Sequence, residues 1–411
     1  MIDKLFLRKY KVNNEGGIIY VDRKVYKWLN SFSLNDLSQK TFIEKEIYKQ
    51  LTKSGFDENP DVSPPKKIPK ISLILVLFNS KYWVDNLKQM LSNLNPWIYE
   101  IVVVDNGSTD NSLNILNECL PGLISIKNLT PKPFAAAINQ GTRIASGDVF
   151  LMINPDVYIP KSSLWALIDC YQKNKSVAAY SPKLLLMKTP GFINGIGNIV
   201  KPFWHGYDMG LGHLDIGQFN DICDLYSACF ATILIPRKSW EEIGELDEKF
   251  PLYYEDTDWC YRARNIGKRI ILNPHAKIYH AYKASSKDGY NFRNQYIMNI
   301  TKGRIRFTRK NINKNIKIFY LLSFFLNDIF NFFKYLLLQK RSFFKCLFFP
   351  WVTELFLSKE SFCYKKSNWY KSNSFKYNID CSPSIYLGLP VLSSKNLHLI
   401  IKLREKMEIN E

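Results

Sequence analysis

Residues 71–78, ISLILVLF, form an unbroken apolar run rich in β-branched residues that stops at Asn79-Ser80. A run of that length without polar interruption reads as a strand buried on both faces. A helical stretch follows at 83–94, closed by Asn95-Pro96, and then a second buried run, IVVVD (101–105). NGSTDNSLNILNECL (106–120) is a turn leading into a helix capped by Ser108 or Asp110. The pattern repeats with a strand at ISIKN (124–128), a helix at 134–145 and a strand within DVFLMINPD (148–156). Such alternation gives βαβ units, a mostly parallel sheet and right-handed crossovers. The expected fold class is α/β, with helices flanking the sheet.

Outward from this core, residues 59–70 (NPDVSPPKKIPK) hold four prolines and read as a linker. Residues 1–58 form an extension without an assigned role, with one helix expected over 34–51. The sheet-forming region is expected over 71–285 and a helical region over 286–411. The 411 residues carry 56 Lys+Arg against 37 Asp+Glu, a formal charge of +19. At 46% hydrophobic the chain has material for a core, which excludes a disordered polymer. Its eight cysteines show no CxxC pair and read as buried thiols. The first thirty residues interleave charge with apolar residues and lack a signal-peptide h-region, so a cytoplasmic location is expected.

Residues 301–345 contain eleven basic residues against one acid, Asp328, and so carry +10 of the total. They are interleaved with aromatic and aliphatic blocks, the longest being IKIFYLLSFFLNDIFNFFKYLLL (316–338). Asn327, Asp328, Asn331 and Lys334 interrupt its second half, which argues against a spanning helix and for one lying in an anionic membrane surface. Packing on the core is the bland alternative. A nucleic-acid partner would also suit the charge, but RRM, OB and helix-turn-helix signatures are absent, and the FF and LLL blocks suit lipid or a core better than base stacking.

Three carboxylate-bearing segments stand next to expected strand ends, where open α/β sheets bind their ligands. Asp105 ends IVVVD, and Asn106-Gly107-Ser108 then presents backbone N–H groups at a helix start. Asp148 and Asp156 flank the next strand, and Asn154-Pro155-Asp156 offers hard oxygen ligands suited to Mg²⁺ or Mn²⁺. In PLYYEDTDWCYRARNIG (251–267), Glu255, Asp256 and Asp258 crowd together. Clustered carboxylates are costly unless solvated, paired with a residue such as Arg262 or Arg264, or used for proton transfer. Each segment alone is an ordinary turn or helix start.

Taken in order, 71–286 resembles the family 2 glycosyltransferases of GT-A fold, and most of all the rhamnosyltransferase-like branch of bacterial surface-polysaccharide assembly. The resemblance rests on ISLILVLFN, VVVDNGSTD, PFAAAINQGTRIASGDVFLMINPDV and YSACFATILIPRKSWEEIGELDEKFPLYYEDTDWCYRARNIGKRIILNPHAKIYH. It covers about half the chain. Pro133, Ala137, Ser227 and Trp259 depart from the pattern.

The resemblance implies a nucleotide-sugar donor and a saccharide or lipid-linked saccharide acceptor. Asp105, Asn106, Asn139, Asp148 and Asn154 would line the nucleotide-sugar pocket. Asp156 and His280 would hold Mn²⁺ or Mg²⁺. Asp256 would be the general base of an inverting displacement, with Glu255 and Asp258 as substitutes or acceptor ligands. The branch suggests dTDP-rhamnose first and a UDP-sugar second, acting on the inner face of the plasma membrane. A nicotinamide enzyme is disfavoured, since no GxGxxG follows the first strand. A nucleotidyltransferase would carry a Gly-rich, Arg-containing loop where this chain has FNSKYW (78–83).

Overall fold

The computed structural model describes residues 7–11, 18–22, 49–50, 53, 55–200, 207–212, 215, 217, 219–221, 223–281, 289–312, 314–337 and 343–357. The first two segments pair as an antiparallel hairpin, β1 (Leu7–Lys11) and β2 (Ile18–Asp22). The helix expected over 34–51 falls almost wholly outside the described residues.

Ile71 opens the main sheet. The elements β3 (Ile71–Leu77), α1 (Val84–Leu94), β4 (Glu100–Asp105), α2 (Ser112–Cys119), β5 (Ile124–Lys127), α3 (Phe134–Ile144) and β6 (Val149–Ile153) follow in order. β4 and then β5 lie parallel on one side of β3, and β6 lies parallel on its other side. The strand order therefore reverses at β3, and the carboxyl ends there open a crevice. All seven residues of β3 are buried because both faces are covered. Leu73 and Leu75 pack in the layer of Leu87 and Leu91 from α1, whereas Ile74 and Val76 pack with Ala137 and Ile138 from α3.

The chain continues through β7 (Val157–Tyr158), α4 (Lys161–Lys173), β8 (Val177–Leu186) and β9 (Thr189–Gly195). A short hairpin of β10 (Asn198–Ile199) and β11 (Tyr207–Asp208) follows, then β12 (Cys223–Asp224) and β13 (Thr232–Pro236). Next come α5 (Arg237–Ile243), α6 (Glu255–Asn265) and β14 (Arg269–His280). β13 runs antiparallel between β6 and β8, so the ten-stranded sheet is mixed, in the order β12-β14-β8-β13-β6-β3-β4-β5 with β7 on β14 and β9 on β8. β14 is parallel to β8, but between Asn273 and Lys277 it takes four steps while β8 takes one, from Pro182 to Lys183. That irregularity bends β14. Its last residues then also pair with β7, His280 opposite Val157.

Three helices complete the described chain: α7 (Gly289–Asn311), α8 (Lys314–Leu337) and α9 (Phe343–Val352), the last running into a π-helical turn at Thr353–Leu357. Ile305 and Phe307 of α7 share a core with Phe250, Tyr254 and Tyr261, so this region does pack on the sheet domain. Asp328 is fully buried and accepts hydrogen bonds from Arg304 at 2.5 Å and from Trp351 Nε1 at 2.9 Å. The acid that breaks the apolar run in the sequence is thus turned inward. The outer face of α8 is bare: Ile318, Phe319, Leu322, Leu326, Phe330 and Phe333 are all exposed, Phe330 at 69%. Residues 358–411 lie outside the described residues.

Candidate active site

Three carboxylate sites meet at the carboxyl edge of β3, β4 and β6. Asp105 is the last residue of β4, buried, with Oδ1 accepting from the Ser108 backbone N–H at 3.0 Å. Asn106 spends its side chain locally, donating to the Lys132 carbonyl and accepting from Lys132 N–H and Asn128. The turn needs Gly107: its φ is +81°, and a Cβ there would stand 2.9 Å from Pro131 N. Asn106 is therefore the pin that holds the 128–132 loop beside Asp105.

Asp156 lies just past β6 and is buried. The bend in β14 brings His280 to it, with Nε2 at 3.4 Å from Asp156 Oδ1. The other ring nitrogen, Nδ1, is 2.7 Å from Asn194 Oδ1. An Nδ1–H donating to that acceptor turns Nε2 to Asp156, as an N–H when the ring is charged and as a lone pair when it is neutral. Burial opposes charge on both groups, yet His280 holds Asp156 below the ordinary carboxylate range, and Asp156 holds His280 above the ordinary imidazole value. An oxygen and a nitrogen donor this close fit one divalent cation, whose adjacent ligands at about 2.1 Å would lie about 3 Å apart. Among the described residues no third His, Cys, Asp or Glu completes a metal cluster. The remaining positions would fall to phosphate oxygens and water, as is usual for Mg²⁺ and Mn²⁺ in phosphate sites. Asn154 sits at the same strand end, its N–H bonded to the Ala231 carbonyl.

The third site starts α6. Tyr253 and Tyr254 ahead of it have φ of +71° and +72°, two successive left-handed residues without glycine. Such backbone persists only where its surroundings hold it, and here α7 does so: Gly303 lies flat against this turn. Glu255 is buried, with Oε2 lacking a hydrogen-bond partner. Its carboxyl is pushed up to about 8, by burial first and then by the charge of Asp256. Asp256 is less enclosed. Its Oδ1 accepts from Thr257 N–H at 2.6 Å and its Oδ2 from Phe230 N–H at 3.4 Å. Desolvation outweighs these donors and raises its proton affinity.

The structure separates three expected site residues from this edge. Asp148 precedes β6 at its amino end, exposed, beside Lys70 N–H. Lys70 adjoins Ile71, whereas Asp105 is level with Leu77, so about six strand steps of 3.3 Å, roughly 20 Å, divide the two acids. Asn139 donates to the Leu246 carbonyl and Glu248 and accepts from Leu246 N–H, which spends its amide on fastening the 244–250 turn to α3. Asp258 is fully buried, with its oxygens taken by Arg262, Lys310 and Asn311. It ties α6 to α7 and is closed to an acceptor. Trp259, one of the departures, stacks on Trp240 at 5.7 Å and donates to the Gly244 carbonyl at 2.9 Å, so it is a core residue.

Three residues of the candidate site had no signal in the sequence. Asn194, at the end of β9, orients His280, and the β10–β11 hairpin brings Asn198 and Asp208 over Asp256.

The sequence profile described as Glycosyl transferase family 2 matches residues 72–194, from β3 through β9. Residues 72–194 carry the family 2 glycosyltransferase domain. The chain's mixed, mostly parallel sheet between helices is the α/β class expected from the sequence. Among relatives, a low-salt glycan biosynthesis hexosyltransferase of Haloferax volcanii is 27% identical over 215 residues, 49% of this chain. An O-antigen biosynthesis protein of Myxococcus xanthus is 24% identical over 235 residues, 54% of this chain. These alignments span 66% and 18% of the two relatives' own lengths. A solved mannosyltransferase from Pyrobaculum calidifontis, in complex with GDP-Man and Mn²⁺, is 16% identical with a TM-score of 0.46, covering 78% of this chain and 94% of its own.

Proposed function

We propose that this glycosyltransferase moves a sugar from a nucleotide donor to a hydroxyl of a lipid-linked or growing surface saccharide, with inversion. The observation that carries this is the meeting of Asp105, the Asp156–His280 pair and Asp256 at one sheet edge, with Asp105 and Asp156 within the residues that match the family 2 profile. Asp105 receives the nucleotide beside the pinned 106–108 turn. Asp156 and His280 would hold Mn²⁺ or Mg²⁺, which supplies positive charge against that building on the departing diphosphate. Asp256 removes the acceptor's proton as that oxygen bonds to the anomeric carbon and the diphosphate leaves with the electron pair. A raised proton affinity suits this work, because a base is most effective when its pKa lies near the working pH. dTDP-rhamnose is the first donor and a UDP-sugar the second, on the branch resemblance alone.

The test is transfer against a panel of nucleotide sugars with Mn²⁺ or Mg²⁺. Asp256→Asn abolishes transfer and leaves donor binding nearly intact; transfer within a few-fold of wild type refutes the base assignment.

We further assign an anionic membrane surface, on a cytoplasmic inner face, as the partner of α8. Lys314–Phe333 is long and apolar enough to cross a membrane. The buried Arg304–Asp328 pair on its inner side argues instead for a helix lying on the surface. Six half-exposed apolar side chains at about 1 kcal/mol each give on the order of 6 kcal/mol on entering lipid. Asp328 and Glu354 are the only acids from 289 to 357, against twelve Lys and Arg, so anionic lipid adds attraction. Phosphatidylglycerol vesicles should float with the wild type and not with the Leu322→Ser, Leu326→Ser, Phe330→Ser variant. Equal flotation of the two, or none of either, overturns the assignment.

A further inference from the structure

Asn198, the first residue of β10, stands between two carboxylates. One edge of its side-chain amide lies 3.3 Å from Asp256 Oδ2. The other lies 3.1 Å from Asp208 Oδ1 and 3.2 Å from the Gly197 carbonyl oxygen. A carboxamide has one donating edge and one accepting edge. The edge facing Gly197 must be the donor, because a peptide carbonyl has no proton to give. The amide oxygen then points at Asp256 Oδ2. Two oxygens facing each other at 3.3 Å repel unless one of them carries a proton, and the carboxyl of Asp256 is the group able to carry it.

The β10–β11 pairing sets Asp208 opposite Asn198, so its position is fixed by the hairpin register. Its charge favours the same amide orientation that Gly197 requires. We infer that Asp208, acting through Asn198, is a positioning residue that keeps a proton on Asp256 in the ligand-free protein, so that the base becomes available only as pH rises. This rests on the reading of Asp256 as base.

The other titratable groups around Asp256 fit this assignment. Glu255, its neighbour on α6, is itself pushed up to about 8. Cys229, in the segment before β13, and Cys260, one turn along α6, are both held as neutral thiols by burial, Cys260 at about 12. Arg264, further along α6, acts on Cys260 and donates to the Leu225 carbonyl. The donors from Thr257 and Phe230 favour the charged form, but desolvation exceeds them.

The test reads the proton directly in the ligand-free full chain. An infrared difference spectrum of wild type minus Asp256→Asn isolates the carbonyl band of a protonated Asp256, apart from that of Glu255, and its loss is followed against pH. The band should be present at neutral pH. Its midpoint should fall by about one pH unit or more, a tenfold change in proton affinity, in Asp208→Asn and in Asn198→Ala, each measured against its own Asp256→Asn double variant. Asp208→Glu should keep the wild-type midpoint. No band at neutral pH, or an unmoved midpoint in a folded Asp208→Asn or Asn198→Ala protein, overturns the inference. Transfer by Asp256→Asn would instead remove the base reading and leave the infrared result standing.

Discussion

Replacing Gly303 by alanine asks whether α7 belongs to the catalytic apparatus or merely rests on it. A Cβ at this position would stand 2.9 Å from the Tyr253 carbonyl oxygen and 2.8 Å from Tyr254 Cδ2, where ordinary contact begins at 3.4 Å. The carbonyl has little freedom to rotate away, because Tyr253 and Tyr254 already hold φ of +71° and +72°. The turn must therefore withdraw by about 0.5 Å, the shortfall from ordinary contact. Two stability effects then oppose each other. Alanine in a helix interior is worth about 1 kcal/mol over glycine, while overpacking costs about 1–3 kcal/mol, leaving a net loss of about 0–2 kcal/mol. Catalysis has no such offset. Glu255 and Asp256 follow the turn directly, and a misplacement of about 1 Å can cost a hundredfold, so about 0.5 Å predicts roughly a tenfold fall in kcat. The assay is kcat at saturating donor and acceptor beside a thermal melt. A kcat within twofold of wild type, with the melt unchanged, would refute the coupling of α7 to the proposed base.

Asp328→Leu leaves Arg304 buried without its acid and should cost about 3–5 kcal/mol in urea unfolding, whereas the double variant with Arg304→Met should recover most of it. Asn139→Ala should lower stability by about 1–3 kcal/mol through its lost buried hydrogen bonds, while Asp148→Ala should leave nucleotide affinity within twofold by calorimetry. Glu255 has a folded-state value of about 8 against an ordinary 4.5, so its protonated form favours folding. That stability is complete below about pH 4.5 and is lost as pH rises through 8; Glu255→Gln should flatten the urea midpoint across that window.

The sheet was readable because its signal is local. β3, β4 and β6 are buried on both faces and so appear as continuous apolar runs, and each helix between them has its own stop in Asn-Pro or a polar turn. The acids gathered at the candidate site were legible where a carboxylate closes such a run, as at Asp105 and Asp156. Asp148 misled because the residues around a strand do not say which of its ends faces the crevice; pairing with β3 decides that. Asn139 and Asp258 misled because the motifs that contain them serve packing as well as chemistry, and only their partners, Leu246 for one and Asn311 for the other, distinguish the two. Asn194, Asn198 and Asp208 lie in a stretch whose strands are two to seven residues long, too short for periodicity to register.

The excursion in β14 between Asn273 and Lys277 sets a counting rule for this molecule. Side chains alternate faces along a strand, so the register of Lys277 through His280 on β8 decides which way they point. Loss or gain of a single residue that the excursion does not absorb would slide Lys277–His280 by one step against β8 and turn the His280 ring away from Asp156. A slide of two steps would restore the face but carry the ring about 7 Å along the strand. Length variation in this segment, in an insertion library screened for folded but inactive chains, should therefore be tolerated where the excursion absorbs it and punished where the His280 end of β14 slides.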